Sequence, residues 1–216
     1  ALAFASAAFT APAAVAADID IGLLGQFSGP YSWWGKEYQR GVELWMAANN
    51  GGKVGAHQLK VLERDEGGTN PQRSRQLAQE LVVRDKVQYL LGGTFTPTVL
   101  GVTEIATQAK TPFVVLNSGT SMVTTKSPYF VRVGFTQWTV SVPLVQYAVE
   151  QGTKNAAILV ADYAPGHDGL EAYGKTFTKL GPTVSGDTKV PLGTPDFSSY
   201  LQRVRDLKPQ AVFMFM

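Results

Sequence analysis

Three short stretches set hydroxyl and amide groups beside aromatic rings. Thr94-Phe95-Thr96-Pro97 follows Gly92-Gly93, Asn117-Ser118-Gly119-Thr120-Ser121 lies further on, and Tyr31-Ser32-Trp33-Trp34-Gly35 comes early in the chain. Hydroxyls and unpaired main-chain N–H groups can hold a small anion, while rings wall an apolar or planar body. Thr96 stands where a helix N-cap belongs, with Pro97 at the first helical position, where its missing N–H costs nothing. A helix start offers unpaired N–H groups and a positive dipole end, which suit a carboxylate. The plainer alternative is a capped helix without a ligand, since every strand–turn–helix unit has such a turn.

Those stretches need a frame, and the chain supplies one by alternating strand and helix. Ile19–Leu24 reads as a strand, 33–50 as a helix, Gln58–Glu63 as a strand, and Asn70-Pro71 as the start of a second helix. The apolar run Val87–Leu91 is a strand, followed by a helix over 97–109, a strand over 112–116 and another over 129–133. A second series follows. It has a helix over 140–151 with Pro143 near its first turn, a strand over 155–161, a helix over 169–180 and a strand over 183–190. A helix over 197–207 and an apolar strand, Ala211–Met216, close the series.

The expected fold class is α/β: two doubly wound parallel-sheet lobes. Residues 18–135 form the first lobe and 136–216 the second. Three strands make a small sheet, and a chain that stops inside an apolar strand suggests that the second lobe is incomplete here. Ligands of such sheets bind beyond the carboxyl ends of the strands. The three chemical stretches fall at such ends. So does Ala161-Asp162-Tyr163-Ala164-Pro165-Gly166.

Charge and composition narrow the function classes. The chain has 19 Lys and Arg against 17 Asp and Glu, a net charge of +2, and no long run of one sign. Nothing in that balance points to nucleic acid or an anionic membrane. It has no Cys, which removes disulfides and thiolate chemistry. Residues 1–17 are small and apolar and end Ala13-Ala14-Val15-Ala16-Ala17. They read as the remnant of a secretory signal, with Pro12 arguing against a membrane anchor.

The remaining candidates favour ordinary roles. His57 lies in a polar turn and His167 in the loop holding Pro165-Gly166. They are far apart, without a carboxylate cluster for a metal. Asp65-Glu66 could imitate a catalytic pair, but neighbours on an extended segment point to opposite faces, so a surface role is expected. Ser118-Gly119-Thr120 lacks the Gly-x-Ser-x-Gly elbow, and Gly22-x-x-Gly25 lacks the dinucleotide fingerprint.

Several segments carry a family resemblance in order and spacing. They are Ile21–Gly35 with Ser28-Gly29-Pro30, Asn49-Asn50-Gly51-Gly52, Asp65–Pro71, Leu90-Leu91-Gly92 and Thr194-Pro195-Asp196-Phe197. From Asp18 to Met216 the chain resembles the type I periplasmic substrate-binding proteins of ABC transporters, in the leucine/isoleucine/valine-binding branch. The resemblance implies two lobes about a hinge and a periplasmic, monomeric, non-enzymatic protein without cofactor or metal. A small-molecule carboxylate would bind in the cleft, and a permease in the inner membrane would recognise the closed form.

Carried over by residue, the resemblance makes Thr96 and Thr120 the carboxylate-binding hydroxyls, with the Ser118 backbone beside them. Trp34 becomes a wall of the side-chain pocket and Tyr163 a contact from the second lobe. Phe95 adds a ring, and Trp33 is either packing under a loop or a second wall. Trp33-Trp34 and Asp162–Gly166 depart from the branched-chain pattern toward relatives that take aromatic acids. The alternatives left open are a branched-chain or other apolar amino acid as ligand, a sensory domain or an amide- or urea-responsive regulator on the same fold, and an enzyme.

Overall fold

The computed structural model describes residues 18–216. The proposed signal remnant, residues 1–17, lies outside the described residues.

The first lobe is built around β1 (Ile19–Gly25), β2 (Lys53–Val54), β3 (His57–Asp65), β4 (Tyr89–Gly92), β5 (Phe113–Val115) and β6 (Phe130–Arg132). Their order across the sheet is β2-β3-β1-β4-β5-β6. All neighbours are parallel except the short β2, which forms a hairpin with β3. The connecting helices are α1 (Ser32–Ala48), α2 (Pro71–Gln79) and α3 (Thr96–Gln108). Asn70 caps α2 by accepting from the N–H groups of Gln72 and Arg73, the cap-then-proline start that the sequence announces. One face of the sheet packs on α2 and α3 through Leu24, Leu77, Leu81, Leu90, Val99 and Phe113. Each such side chain, once fully buried, contributes about 1.5–3 kcal/mol.

The second lobe contains α4 (Gln137–Glu150), β7 (Asn155–Ala161), α5 (Ala164–Lys179), β8 (Thr183–Val190), α6 (Ser198–Asp206) and β9 (Ala211–Phe215). Its parallel order is β8-β7-β9. Side chains pack on both faces, though Val212 and Met214 of β9 stay exposed. Val145, Ile158, Tyr173, Phe177 and Phe213 pack on one side, and Leu159, Val190 and Val204 on the other.

Three expectations need correction. Thr96 is the first residue of α3, and Phe95 holds the N-cap position without a side-chain bond. α5 starts at Ala164, because Pro165 sits in its first turn and Tyr163 is extended before it. Gly166 and His167 therefore belong to a helix and not to a loop. α4 starts at Gln137 and carries Pro143 inside it. A reciprocal bond between Thr136 and Thr139 fixes the start upstream of the proline.

The strand ends fit closely against their neighbours. Gly92 has φ +130°, and a Cβ there would stand 1.9 Å from the Leu24 carbonyl oxygen. In the second lobe a Cβ on Gly166 would stand 1.8 Å from the Ala161 carbonyl oxygen. Only glycine fits at either place.

Candidate functional site: the cleft between two switch points

The strand orders locate the site. In the first lobe the chain leaves β1 for β3 on one side and then crosses to β4 on the other. In the second it leaves β7 for β8 and then crosses to β9. Each reversal opens a crevice at the carboxyl ends of the strands. The two crevices share one cavity of about 260 Å³. Loops after β1, β4 and β5 form one wall, with Tyr31, Trp34, Thr96 and Ser118 among its members. Tyr163, Pro165, Leu192 and Phe215 of the second lobe form the other.

The first wall is polar at its base. Thr96 Oγ1 and Ser118 Oγ lie 3.0 Å apart, and both residues are buried. Because Thr96 opens α3, its N–H has no partner within the helix, and its hydroxyl is not spent as a cap. Ser118 has φ +27°, outside the regions that side chains ordinarily adopt. Its N–H donates to the Thr94 carbonyl at 3.3 Å, and Asn117 Nδ2 donates to the same carbonyl at 2.9 Å. The strained loop is thereby held against the start of α3. From behind, the Arg132 guanidinium donates to the carbonyls of Ser118 and Thr120. Burial lowers the Arg132 pKa, and Asp168 opposes that shift.

Aromatic rings make the remaining walls. Tyr31 and Phe95 meet edge to face, with centroids 4.8 Å apart. Trp33 stacks on Trp34 at 4.1 Å. Across the cleft, Tyr163 and Phe215 lie nearly parallel at 6.1 Å. Burial pushes the Tyr163 hydroxyl up to about 12, with a further push from Tyr31, so it remains a hydrogen-bond donor at neutral pH.

Of the residues singled out from sequence, Trp34, Phe95, Thr96, Ser118 and Tyr163 line this cavity, and so does Trp33. Thr120 departs from the expectation. Its Oγ1 donates to Asp168 Oδ2 at 3.2 Å, and it is not part of the cavity wall. The same carboxylate oxygen accepts from the N–H and hydroxyl of Ser121 at 2.6 and 2.7 Å. Asp168 lies on α5, so this group clasps the second lobe to the first.

Sequence reading missed Phe135, Gln137 and Phe215 as lining residues, and placed Asn117 in a chemical stretch without giving it a role of its own. Phe135 lies in the connection between lobes and Gln137 opens α4 just after it, where no periodicity marks which way a side chain turns. The expected surface role for Asp65-Glu66 fails for Glu66, which is 4% exposed. Asp65 staples the loop after β1 by accepting from the N–H groups of Phe27, Ser28 and Gly67. His167 pairs with Asp162 at 2.7 Å on the surface. Among the described residues no group of three or more His, Cys, Asp or Glu could hold a metal ion. No helix of the described residues is long and apolar enough to cross a membrane.

A sequence profile described as "Periplasmic binding protein" matches residues 18–216. The chain belongs to the periplasmic binding protein family. Within that family it is 43% identical over 206 residues to Leu/Ile/Val-binding protein homolog 6 of Brucella abortus (strain 2308), covering 95% of this chain and 53% of that protein. A solute-binding protein of an ABC transporter from R. palustris, solved with 4-hydroxybenzoate, is 42% identical with a TM-score of 0.89. The match covers 92% of this chain and 54% of that one. Another, from Rhodopseudomonas palustris BisB5 and solved with 3,4-dihydroxybenzoic acid, is 37% identical with a TM-score of 0.87, over the same shares. The chain spans about half the length of the relatives it matches.

Proposed function

We propose that this protein is the extracytoplasmic solute-binding component of an ABC importer, and that its cleft takes a small carboxylate with an aromatic body. The observation that carries this reading is the Thr96–Ser118 hydroxyl pair at the start of α3, set in a cavity walled by rings. A carboxylate only accepts hydrogen bonds, and here it meets hydroxyls and helix-start N–H groups. No cavity-lining side chain among the described residues is charged, so dipoles would hold the anion. The Brucella relative's name supports a branched-chain amino acid, and the two R. palustris structures support an aromatic acid. Facing rings on both lobes favour the planar ligand.

Thr96 and Ser118 anchor the carboxylate on the first lobe, residues 18–135, while Trp34 and Phe95 wall the ring. Tyr163 and its neighbours on the second lobe, beginning at residue 136, then close over it about a hinge. Closure removes competing water and strengthens each hydrogen bond. The closed form is what the membrane permease recognises. The protein works as a monomer in the periplasm, sent there by the leader at residues 1–17, and releases its ligand unchanged without a cofactor.

The reading is tested by thermal shift of the purified protein with benzoate, 4-hydroxybenzoate and leucine. An aromatic acid at about 100 times its dissociation constant adds about 2.7 kcal/mol of stability, a clear rise in melting temperature. A rise with leucine alone transfers the site to the amino acid. No rise with any of the three overturns the carboxylate reading.

A further inference from the structure

Asp168 sits early in α5 and reaches back to the first lobe. Its Oδ2 accepts from Thr120 Oγ1 at 3.2 Å and from the N–H and hydroxyl of Ser121 at 2.6 and 2.7 Å. Hydrogen bonds to a charged acceptor are stronger than those between neutral groups. Asp168, Thr120 and Ser121 all lie outside the cavity wall, so this contact joins the lobes without touching the ligand.

Both ends of the contact are mounted on elements that face the ligand. Tyr163, just before α5, and Pro165, in its first turn, belong to the second wall of the cavity. On the other side, Ser118 faces the cavity beside Thr96, in the same loop as Thr120 and Ser121. Arg132 of β6 donates to the carbonyls of both Ser118 and Thr120, so the loop moves as one piece. A ligand that fixes Ser118 therefore also fixes the donors that Asp168 needs. Ser121 is exposed, so water takes over its bonds when the lobes part, and the contact breaks reversibly.

We infer that Asp168 is a positioning residue, a latch that forms when the cleft shuts and slows release of the ligand. The inference rests on the closing cleft proposed above and adds the group that holds it closed. A contact present in one state alone stabilises that state, and so do ligand contacts that span both lobes. Each then strengthens the other. Because the latch is absent from the open form, it leaves entry of the ligand unaffected and acts on the release rate.

Stopped-flow binding of 4-hydroxybenzoate to the purified protein, read by tryptophan fluorescence, tests this. In Asp168→Ala the release rate should rise about tenfold while the association rate stays within about twofold. Ser121→Ala, which removes one donor from the other lobe, should speed release less. Added to Asp168→Ala, it should change nothing further, which separates a latch from a general loosening of the fold. An unchanged or slower release rate in Asp168→Ala overturns the inference and leaves the carboxylate reading standing. So do effects of the two substitutions that simply multiply. Should Asp168→Ala fail to fold, Asp168→Asn decides: it keeps an acceptor without the charge, and faster release supports the latch while an unchanged rate overturns it. If 4-hydroxybenzoate does not bind the unsubstituted protein, the carboxylate reading falls, and small-angle scattering of the free proteins decides the latch. A larger radius of gyration in Asp168→Ala supports it, and equal radii overturn it.

Discussion

Of two hollows beside the first lobe, a trough on the sheet face and the cleft at the strand ends, the larger is the less suited to a ligand. It is a trough of about 430 Å³ under α1, on the face of the sheet, lined by Ile21, Val42, Trp45, Leu59, Val61 and Leu91 among others. Glu37, Tyr38 and the Trp45 indole N–H are the polar groups of its lining side chains. The cleft at the strand ends is smaller, about 260 Å³, yet it gathers Thr94, Thr96, Asn117, Ser118 and Gln137. Volume therefore does not mark the site. Mid-strand backbone is already paired with neighbouring strands, so a sheet face offers a ligand only side chains. Where strands end and helices begin, main-chain donors are left over. Recognition of a charged small molecule needs those donors, and the trough has none to give.

The contrast can be attacked at three strengths. The largest effect belongs to the polar base of the cleft. Thr96→Val removes one hydroxyl of the buried pair and should cost about 1–3 kcal/mol, or roughly 5- to 150-fold in ligand affinity by calorimetry. An unchanged dissociation constant would take Thr96 out of the site.

Next comes the burial of polar groups behind that base. Glu66 is pushed up to about 6, chiefly by burial. The Ser74 and Thr98 hydroxyls and Gln26 Nε2, the last at 3.0 Å, pull it down, and Asp65 pushes it up. A carboxyl whose folded pKa is raised stabilises the fold fully below its unfolded value, near 4.5. That contribution is lost as pH climbs through about 6. A shift of this size amounts to about 2 kcal/mol. Glu66→Gln, which carries no ionisable group, should therefore gain on the unsubstituted protein in melting temperature between pH 4.5 and 7.5. Parallel curves across that range would show that Glu66 is paid for in some other way. The smallest effect is expected in the trough. Val42→Lys should leave ligand affinity within about twofold, as a change away from the site does. A tenfold loss would join the two hollows into one functional unit.

Much of the frame was legible before any coordinates. Asn70-Pro71 announced α2, and the apolar runs gave β4 and β7, because caps and buried strands obey local rules. The edge on which ligand chemistry converges followed from the alternation of strand and helix. What escaped was the aim of individual side chains. Thr96 and Thr120 are both threonines just beyond strand ends, yet one meets Ser118 in the cleft and the other is taken by Asp168 from the opposite lobe. That choice is made by packing between lobes, which no window of sequence contains. Gln137 and Glu66 escaped for a related reason. Each is a polar residue whose burial is imposed by distant neighbours, and neither follows a motif. The early start of α5 was within reach, since Pro165 marks a first helical turn as Pro71 does, although Tyr163 supplies no side-chain cap of the kind Asn70 gives.

The two glycine contacts, Gly92 against Leu24 and Gly166 against Ala161, bear on how such a protein can be re-aimed. They fix the course of the main chain with no side chain taking part. The rings at Trp34, Phe95 and Tyr163 can then be exchanged for smaller or larger residues while the anchoring groups keep their places. An engineer seeking a new cargo should redecorate the walls and leave these two junctions alone, because a single methyl at either would shift the whole doorway.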